Sequence, residues 1–181
     1  MNKQRWSGLL IGLALSVLLL GACMATATPM PAPATVTAEG KVWQFPDEGV
    51  EVMVPTQATP VRVVTLDLPS REALPTPAPG EFEPNRLVIN FDVVYSDTGK
   101  SVQEFDPPIQ ISVHYTTADF EFAAKADKLP SLAFWDGTTL RRYSAEKHKF
   151  NLVPDGKELS GGGVGVVLVS NWGDPTQIWG R

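Results

Sequence analysis

Two segments of this chain alternate apolar and polar residues with a period of two, and this pattern most constrains the fold. In LVINFDVVY (87–95) Asn90 and Asp92 are the polar residues, and in IQISVHYT (109–116) every second residue is polar. Successive side chains of a β-strand point to opposite faces, so each segment predicts a strand with one buried face. The predicted inward residues are Leu87, Ile89, Phe91, Val93, Tyr95, Ile109, Ile111, Val113 and Tyr115.

Shorter strand-like runs follow one another along the chain, separated by turns. The further candidate strands are VEVMV at 50–54, VRVVTLDL at 61–68, SLAFW at 131–135, TLRRY at 139–143, KFNLV at 149–153 and GVVLVS at 165–170. Segments rich in Gly and Asp, such as SDTGK and PDGK, lie between these runs and are typical of chain reversals. FWDGTTL predicts a hairpin with Asp136-Gly137 at its tip. GVVLVS is apolar on both faces and predicts a central strand.

Many short strands with almost no helix predict an all-β fold, either an antiparallel sandwich or a barrel. We favour an immunoglobulin-like antiparallel β-sandwich with at most one short helix. That helix is expected in TTADFEFAAKAD (116–127), where Thr117 is the candidate cap. Residues 69–85 carry five prolines and predict a long crossover within one domain. The alternative, a linker between two small domains, leaves too few strands before it to close a core.

The first 22 residues have the features of a secretory signal peptide. Lys3 and Arg5 precede an apolar run from Gly8 to Ala22 that only Ser16 interrupts. A basic start, an apolar stretch of this length and small residues at its end are typical of such signals. The alternative is a helix that stays in the membrane, which needs about 20 apolar residues and fits this shorter run less well.

LGAC, residues 20–23, resembles the lipobox of bacterial lipoproteins, in which an apolar residue and two small residues precede a cysteine. The resemblance covers only the first 23 residues. It implies transfer of diacylglycerol to the Cys23 sulfur, cleavage before Cys23 and acylation of the new amino terminus. Two or more acyl chains hold a protein stably on a membrane. We therefore expect an anchor at the extracytoplasmic face of the cell envelope; the alternative is a stray cysteine in an ordinary signal.

Residues 23–40 are rich in Ala, Thr and Pro and predict a tether that joins the lipid anchor to a domain at 41–181. Such a segment buries too little apolar surface to fold alone. Cleavage after residue 22 removes two basic residues and leaves 13 basic and 20 acidic residues, a net charge of −7. An acidic domain without a basic stripe is not expected to bind nucleic acid. With Cys23 acylated, no thiol remains for disulfides or metal sites.

Residues 87–143 resemble β-sandwich modules of bacterial surface proteins. The shared order is a strand, a Gly turn, a Pro-led strand that ends in YT-x-x-D, and a W-D-G hairpin. In this chain these are VINFDVVY, SDTGK, PPIQISVHYTTAD and FWDGTTL. The resemblance implies a fold and not an activity.

No set of residues predicts a catalytic or metal site. His114 lies on the polar face of its strand and His148 lies between two lysines, so both are expected to be exposed. Two histidines without a cysteine or an H-E-x-x-H helix are too few to bind zinc. SGGGVG precedes an apolar strand, whereas a dinucleotide-binding loop opens a helix, so we interpret it as a turn.

Four tryptophans in the predicted domain are its most informative side chains for binding. Exposed tryptophan stacks on sugars and anchors protein interfaces. The candidate ligand-binding residues are Trp135, Trp172 and Trp179, and Trp43 is the fourth. The alternative, which we favour, is that these rings pack at the ends of the sandwich.

The sequence therefore predicts a lipid-anchored extracytoplasmic β-sandwich protein that acts by binding or structural assembly at the cell surface. No catalysis, cofactor or metal is expected, and the expected partners are the membrane, through Cys23, and a protein or glycan. One alternative is a carbohydrate-binding module. The other is a glycan hydrolase that uses Asp47 with Glu48 or Asp119 with Glu121. A hydrolase requires two carboxylates that face one cleft within about 10 Å.

Overall fold

The computed structural model describes residues 40–78, 80–135, 137–173 and 176–181, and these form two antiparallel five-stranded sheets packed face to face. The first sheet contains, in spatial order, β1 (Gly40–Phe45), β2 (Val50–Pro55), β5 (Glu104–Tyr115), β9 (Gly163–Asn171) and β8 (Asn151–Pro154). The second contains β3 (Val61–Leu66), β4 (Pro84–Tyr95), β10 (Thr176–Gly180), β6 (Ser131–Trp135) and β7 (Leu140–Arg142). The predicted antiparallel β-sandwich is confirmed.

The chain passes between the two sheets five times. Hairpins join β1 to β2, β6 to β7 and β8 to β9 within one sheet, and β3 and β4 are neighbours joined by the Pro-rich crossover. The β6–β7 hairpin is the one predicted from FWDGTTL. Gly137 has a φ of 88°, which other residues rarely adopt, and Asp136 lies outside the described residues.

The alternating segments supply the core between the sheets, as the sequence predicts. Phe91 and Val93 of β4 and Ile109, Ile111 and Val113 of β5 are fully buried. Val50, Val52 and Val54 of β2 face the same core. At about 25 cal/mol per Å² of apolar surface, these inward rows contribute most of the free energy that holds the two sheets together.

One inward residue is predicted wrongly. Gln177 of β10 pairs with Ile89, whereas the next residue, Ile178, pairs with Leu87, so Val88 is an extra residue on β4. An extra residue of this kind reverses the face on which the preceding side chains lie. Leu87 therefore packs in a separate apolar cluster and not with Ile89.

Helix is confined to short segments, as predicted. The principal helix is α1 (Thr117–Ala124), and α2 (Ala145–His148) is a single turn; two 3₁₀ turns cover Arg71–Ala73 and Leu159–Gly161. The cap of α1 is Thr116, not Thr117. Its hydroxyl accepts a hydrogen bond from the Asp119 backbone N–H, and the Asp119 carboxylate accepts one from the Thr116 N–H. This reciprocal capping box begins the helix one residue earlier than expected.

Two strands were not singled out from the sequence. β1 forms one edge of the first sheet, and β10 lies at the centre of the second sheet with all five residues buried. β9, predicted to be central, lies between β5 and the edge strand β8.

Candidate functional site

The Pro-rich crossover packs against the outer face of the second sheet, where it forms a cover that we call the strap (residues 71–78 and 80–83). Phe82 of the strap is 6% exposed and packs on Ala133 of β6 and Ile178 of β10, which are fully buried. Leu74, Leu87, Trp135 and Leu140 surround these three residues. This second apolar cluster is separate from the core between the sheets.

The end of the strap is fixed to the last residues of the chain. Glu83 and Arg181 exchange two backbone hydrogen bonds of 3.0 Å, and their side chains form an ion pair of 2.8 Å. Gly180 allows this approach, because a β-carbon there would lie 2.6 Å from the Phe82 ring and would also collide with the Glu83 carbonyl oxygen.

Two grooves that are open to solvent run along the strap. The first, of about 430 Å³, lies between the strap and the β6–β7 hairpin, and its walls include Phe82, Leu140 and Arg142. The Arg142 guanidinium lies 5.6 Å from the centre of the Phe82 ring. The second groove, of about 520 Å³, is lined by the strap and by Lys128. An apolar floor with charged groups at its rim is suited to binding a peptide or a glycan.

Trp135 is the one candidate ligand-binding tryptophan that is partly exposed, and it lies beside this strap. It belongs to the second apolar cluster and pairs across β6 and β10 with Thr176, which in turn pairs with Asn90 of β4. The indole Nε1 of Trp135 and the side-chain Oδ1 of Asn90 are both buried without a hydrogen-bond partner among the described residues. Buried polar atoms are normally hydrogen-bonded, so this row of side chains has an unused donor and an unused acceptor.

Trp172 and Trp179, the other two candidates, are core residues. Trp172 is 4% exposed, its ring centre lies 4.8 Å from that of Phe91, and its Nε1 donates a 2.9 Å hydrogen bond to Oδ1 of Asp92. Trp179 is fully buried, and its Nε1 donates a 3.0 Å hydrogen bond to the His114 carbonyl oxygen. Neither ring presents a face to a ligand, so the packing alternative describes both.

Asp119 is the centre of a buried polar network at one end of the sandwich. Arg86 donates from Nε to both carboxylate oxygens at 3.0 Å, and Asn85 donates to Oδ1 at 2.9 Å. The same guanidinium donates to the His114 carbonyl oxygen at 2.8 Å. Burial alone would raise the pKa of Asp119, but the hydrogen bonds from Arg86 and Thr116 lower it below its ordinary value. The network fixes β4, β5 and α1 to one another.

The carboxylate pairs considered for a hydrolase have different surroundings. Asp119 is 2% exposed and fully engaged in hydrogen bonds, whereas Glu121 is exposed on α1. Asp47 and Glu48 are exposed in the turn between β1 and β2. These positions provide no observation in favour of acid–base chemistry.

The two histidines also differ. His114 is exposed on β5, as predicted, and only its backbone carbonyl takes part in the Asp119 network. His148 is partly buried: its ring lies edge-on to Tyr143 at 5.1 Å, and its Nδ1 accepts a hydrogen bond from the Ser144 N–H. Burial lowers the pKa of His148, and the charge on Lys147 lowers it further.

The burial of two hydrogen-bonded polar side chains, Asp92 and Gln177, was missed from the sequence. Asp92 was assigned to an exposed face, but Trp172 and Ser101 cover it and donate to it. Gln177 is fully buried in β10 and is hydrogen-bonded to Tyr143. Burial raises the pKa of the Tyr143 hydroxyl. The isolated Asp92 inside a strongly apolar strand was the one available signal of a buried polar partner.

Residues 1–39, which include Cys23, the signal peptide and nearly all of the tether, lie outside the described residues. In the part of the chain that the structure describes, no helix is long and apolar enough to cross a membrane. The described ranges also contain no group of three or more His, Cys, Asp or Glu residues placed to hold a metal ion.

Comparison with known proteins adds no relative. No family model, no curated protein and no solved structure matches the chain.

Proposed function

We propose that this chain is a lipid-anchored extracytoplasmic protein whose β-sandwich domain binds a protein or glycan partner, or takes part in structural assembly, at the cell surface. The observation that carries the proposal is Cys23, which is the only cysteine and directly follows an apolar run and two small residues. A Pro-rich segment of the length of residues 24–40 then provides the distance between membrane and domain that a surface-binding role requires.

The architecture of the described domain supports a binding role. The strap and the β6–β7 hairpin form a groove with an apolar floor, and the Arg142 guanidinium lies at its rim. The buried acids Asp92 and Asp119 are engaged in hydrogen bonds that join elements of the fold. Partner binding on a rigid sandwich needs no more than such a preformed surface.

The anchor is tested by expressing the full chain in a bacterial host and measuring the mass of the protein extracted from its membranes. The expected mass is that of residues 23–181 plus one diacylglyceryl group and one further acyl chain, with incorporation of labelled palmitate. Cys23→Ser removes the acceptor sulfur and is expected to abolish incorporation. Met24→Ala is the matched control, because it changes the neighbouring residue and retains the thiol.

A chain that retains Met1, or that carries no acyl mass in the membrane fraction, would contradict the proposed anchor. Equal labelling of the Cys23→Ser variant would do the same.

Saccharide binding at Trp135 is a second candidate, favoured by its partly exposed aromatic ring beside the strap. The test is retention on columns of immobilised glucose, mannose and N-acetylglucosamine polymers. Trp135→Ala removes the ring on which a sugar would stack, so reduced retention is expected. Unchanged retention of this variant, or no retention of the parent protein on any column, would remove the candidate.

A further inference from the structure

Basic residues are concentrated at one edge of this acidic domain. The segment RRYSAEKHK, residues 141–149, contains four of the 13 Lys and Arg residues that remain after residue 22, together with His148 and one acidic residue, Glu146. A run of charge within a sequence is often only a solvated surface, so the arrangement in three dimensions decides whether it forms a site.

The structure presents this segment at an edge of the sandwich. β7 is the last strand of the second sheet, and α2 follows it before the chain enters β8, the edge strand of the first sheet. Arg141, Lys147 and Lys149 are all exposed. We refer to these three side chains as the basic patch.

Contacts hold the parts of the patch together. Arg141 lies opposite Phe134 in the β6–β7 ladder, and the His148 ring lies 6.4 Å from the Phe134 ring and 5.1 Å from that of Tyr143. Lys147 is close enough to His148 to lower its pKa. Arg141 and Lys147 therefore lie near the same group of aromatic side chains, and Lys149 directly follows α2.

Hydrogen bonds fix the backbone of α2, so the backbone that carries the two lysines needs no ordering on binding. The Ser144 hydroxyl accepts from the Lys147 N–H at 3.1 Å, and the Ser144 carbonyl accepts from the His148 N–H at 3.0 Å and the Phe150 N–H at 3.2 Å. Ser144 thus caps the single turn and closes it. A preordered cationic surface loses little conformational entropy when it meets an anionic one.

We propose that the basic patch binds the anionic phospholipid headgroups of the membrane, an inference that rests on the proposed lipid anchor. The rest of the domain is acidic and is repelled by an anionic surface, so only the patch edge is expected to approach it. Each lysine or arginine near such a surface strengthens binding by about fivefold. Three such residues bind weakly from solution, but the anchor makes the encounter intramolecular and greatly raises the effective concentration.

The reach of the chain is sufficient for this contact. The 17 residues from 24 to 40 span at most about 60 Å when fully extended. β1, where the described domain begins, and the β7–β8 edge lie on opposite sides of five-stranded sheets, a separation of about 20 Å. The anchored domain can therefore turn its patch edge to the bilayer.

The experiment uses the full chain, processed and acylated, in nanodiscs that contain a dansyl-labelled headgroup as acceptor for tryptophan fluorescence. Energy transfer is expected to be higher in discs of phosphatidylglycerol and phosphatidylcholine (1:1) than in phosphatidylcholine alone. The difference is expected to disappear at 0.5 M salt, because screening weakens the attraction between exposed charges.

The decisive variant is Lys147→Gln/Lys149→Gln, for which loss of the lipid-dependent transfer is expected. Lys100→Gln/Lys125→Gln is the matched control, because it removes two exposed lysines outside the basic patch, in the β4–β5 turn and at the end of α1, and gives the same net charge. If the double variant has a lower thermal unfolding midpoint than the parent protein, Lys147→Gln alone replaces it. This single variant is expected to lose part of the lipid-dependent energy transfer. Equal transfer in neutral and anionic discs, or equal loss in both double variants, would overturn the inference.

Two further readouts separate possible causes. Inorganic phosphate at constant ionic strength is expected to leave the lipid-dependent energy transfer unchanged. If phosphate abolished this transfer, the patch would be a site for small anions and not a membrane-binding surface. The mass of the disc-bound protein reports the anchor independently. An acylated protein with no lipid-dependent transfer would refute the patch alone, whereas protein without acyl chains would refute the proposed anchor.

Discussion

At the scale of single residues, the two core tryptophans make the same combination of contacts at opposite ends of β5. Trp172 packs near Phe105, at the start of that strand, and Trp179 packs against Tyr115, at its end. Each indole N–H is hydrogen-bonded, to the Asp92 carboxylate and to a backbone carbonyl respectively. A large apolar ring with a paired polar atom closes the end of a core without leaving an unsatisfied group.

This arrangement predicts a difference between two similar substitutions. Trp172→Phe removes one of three donors to the buried Asp92 carboxylate, leaving those from Ser101 and the Val93 N–H. We expect a loss of about 1–3 kcal/mol in the free energy of unfolding beyond the change in packing. Trp135→Phe is the control, because its indole N–H has no partner among the described residues. Urea unfolding followed by far-UV circular dichroism measures both, and equal destabilisation would contradict this account.

At the scale of elements, the strands that the sequence predicted most clearly are β4 and β5. Each has an apolar row of alternate residues, which the sequence displays directly. β10 does not, because TQIWG is buried on both faces and includes the fully buried Gln177, whose partner Tyr143 comes from a distant segment. The change of face at Leu87 could not be predicted from the sequence either, because the extra residue Val88 is evident only from the pairing of β4 with β10.

The candidate site was less predictable than the fold for a related reason. Its prolines identified the crossover, but nothing local shows that Phe82 packs on Ala133 and Ile178, which lie 51 and 96 residues further along the chain. The close approach over Gly180 is also a tertiary feature. Of the three candidate tryptophans, Trp135 borders this site, and sequence alone did not distinguish it from the two that the core buries.

The strap is predicted to depend on Phe82. Phe82→Ala removes most of its apolar contact with the sheet, a change that costs about 3–5 kcal/mol at a fully buried site. Because proteolysis follows the population of a locally open form, we expect trypsin to cleave after the exposed Arg71 at least about a hundredfold faster.

Cleavage after Lys100, in the β4–β5 turn, provides an internal reference for that experiment. Leu129→Ala is the matched control, because this leucine is 53% exposed and lies outside both apolar clusters. An unchanged rate after Arg71 in Phe82→Ala would show that the strap is held mainly by the pairing of Glu83 with Arg181.

At the scale of the whole molecule, the sandwich has distinct surfaces. The strap covers part of the outer face of the second sheet, whereas the edge with β7 and α2 carries the basic patch. Exposed large apolar residues occur on the opposite edge, at Val42 in β1, Leu66 in β3 and Leu68 just beyond it. Under the proposed function, three dissimilar surfaces would allow the domain to bind a membrane and a partner at the same time without competition between them.

Three titratable groups predict how the stability of the whole fold depends on pH. The pKa of Asp119 is lowered below 3.8 and that of His148 below 6.5, whereas the pKa of Tyr143 is raised above 10.0. Where the unfolded chain binds more protons than the folded one, stability falls as the pH falls. We therefore expect stability to fall below pH 6.5 because of His148 and to fall further below pH 3.8 because of Asp119. Above pH 10 the unfolded tyrosine ionises first, so stability falls again.

Urea midpoints measured from pH 3 to pH 11 test both limbs of this profile through single substitutions. Asp119→Asn is expected to lower the midpoint at pH 7, because Arg86 then faces a neutral amide, and to flatten the profile below pH 4. Tyr143→Phe is expected to flatten only the alkaline limb, with the remainder due to Tyr115, whose pKa burial also raises. An Asp119→Asn profile that is parallel to that of the parent protein in acid would show that other carboxylates control acid unfolding. The Asp119 network would then join β4, β5 and α1 without determining how the stability of the fold depends on acid pH.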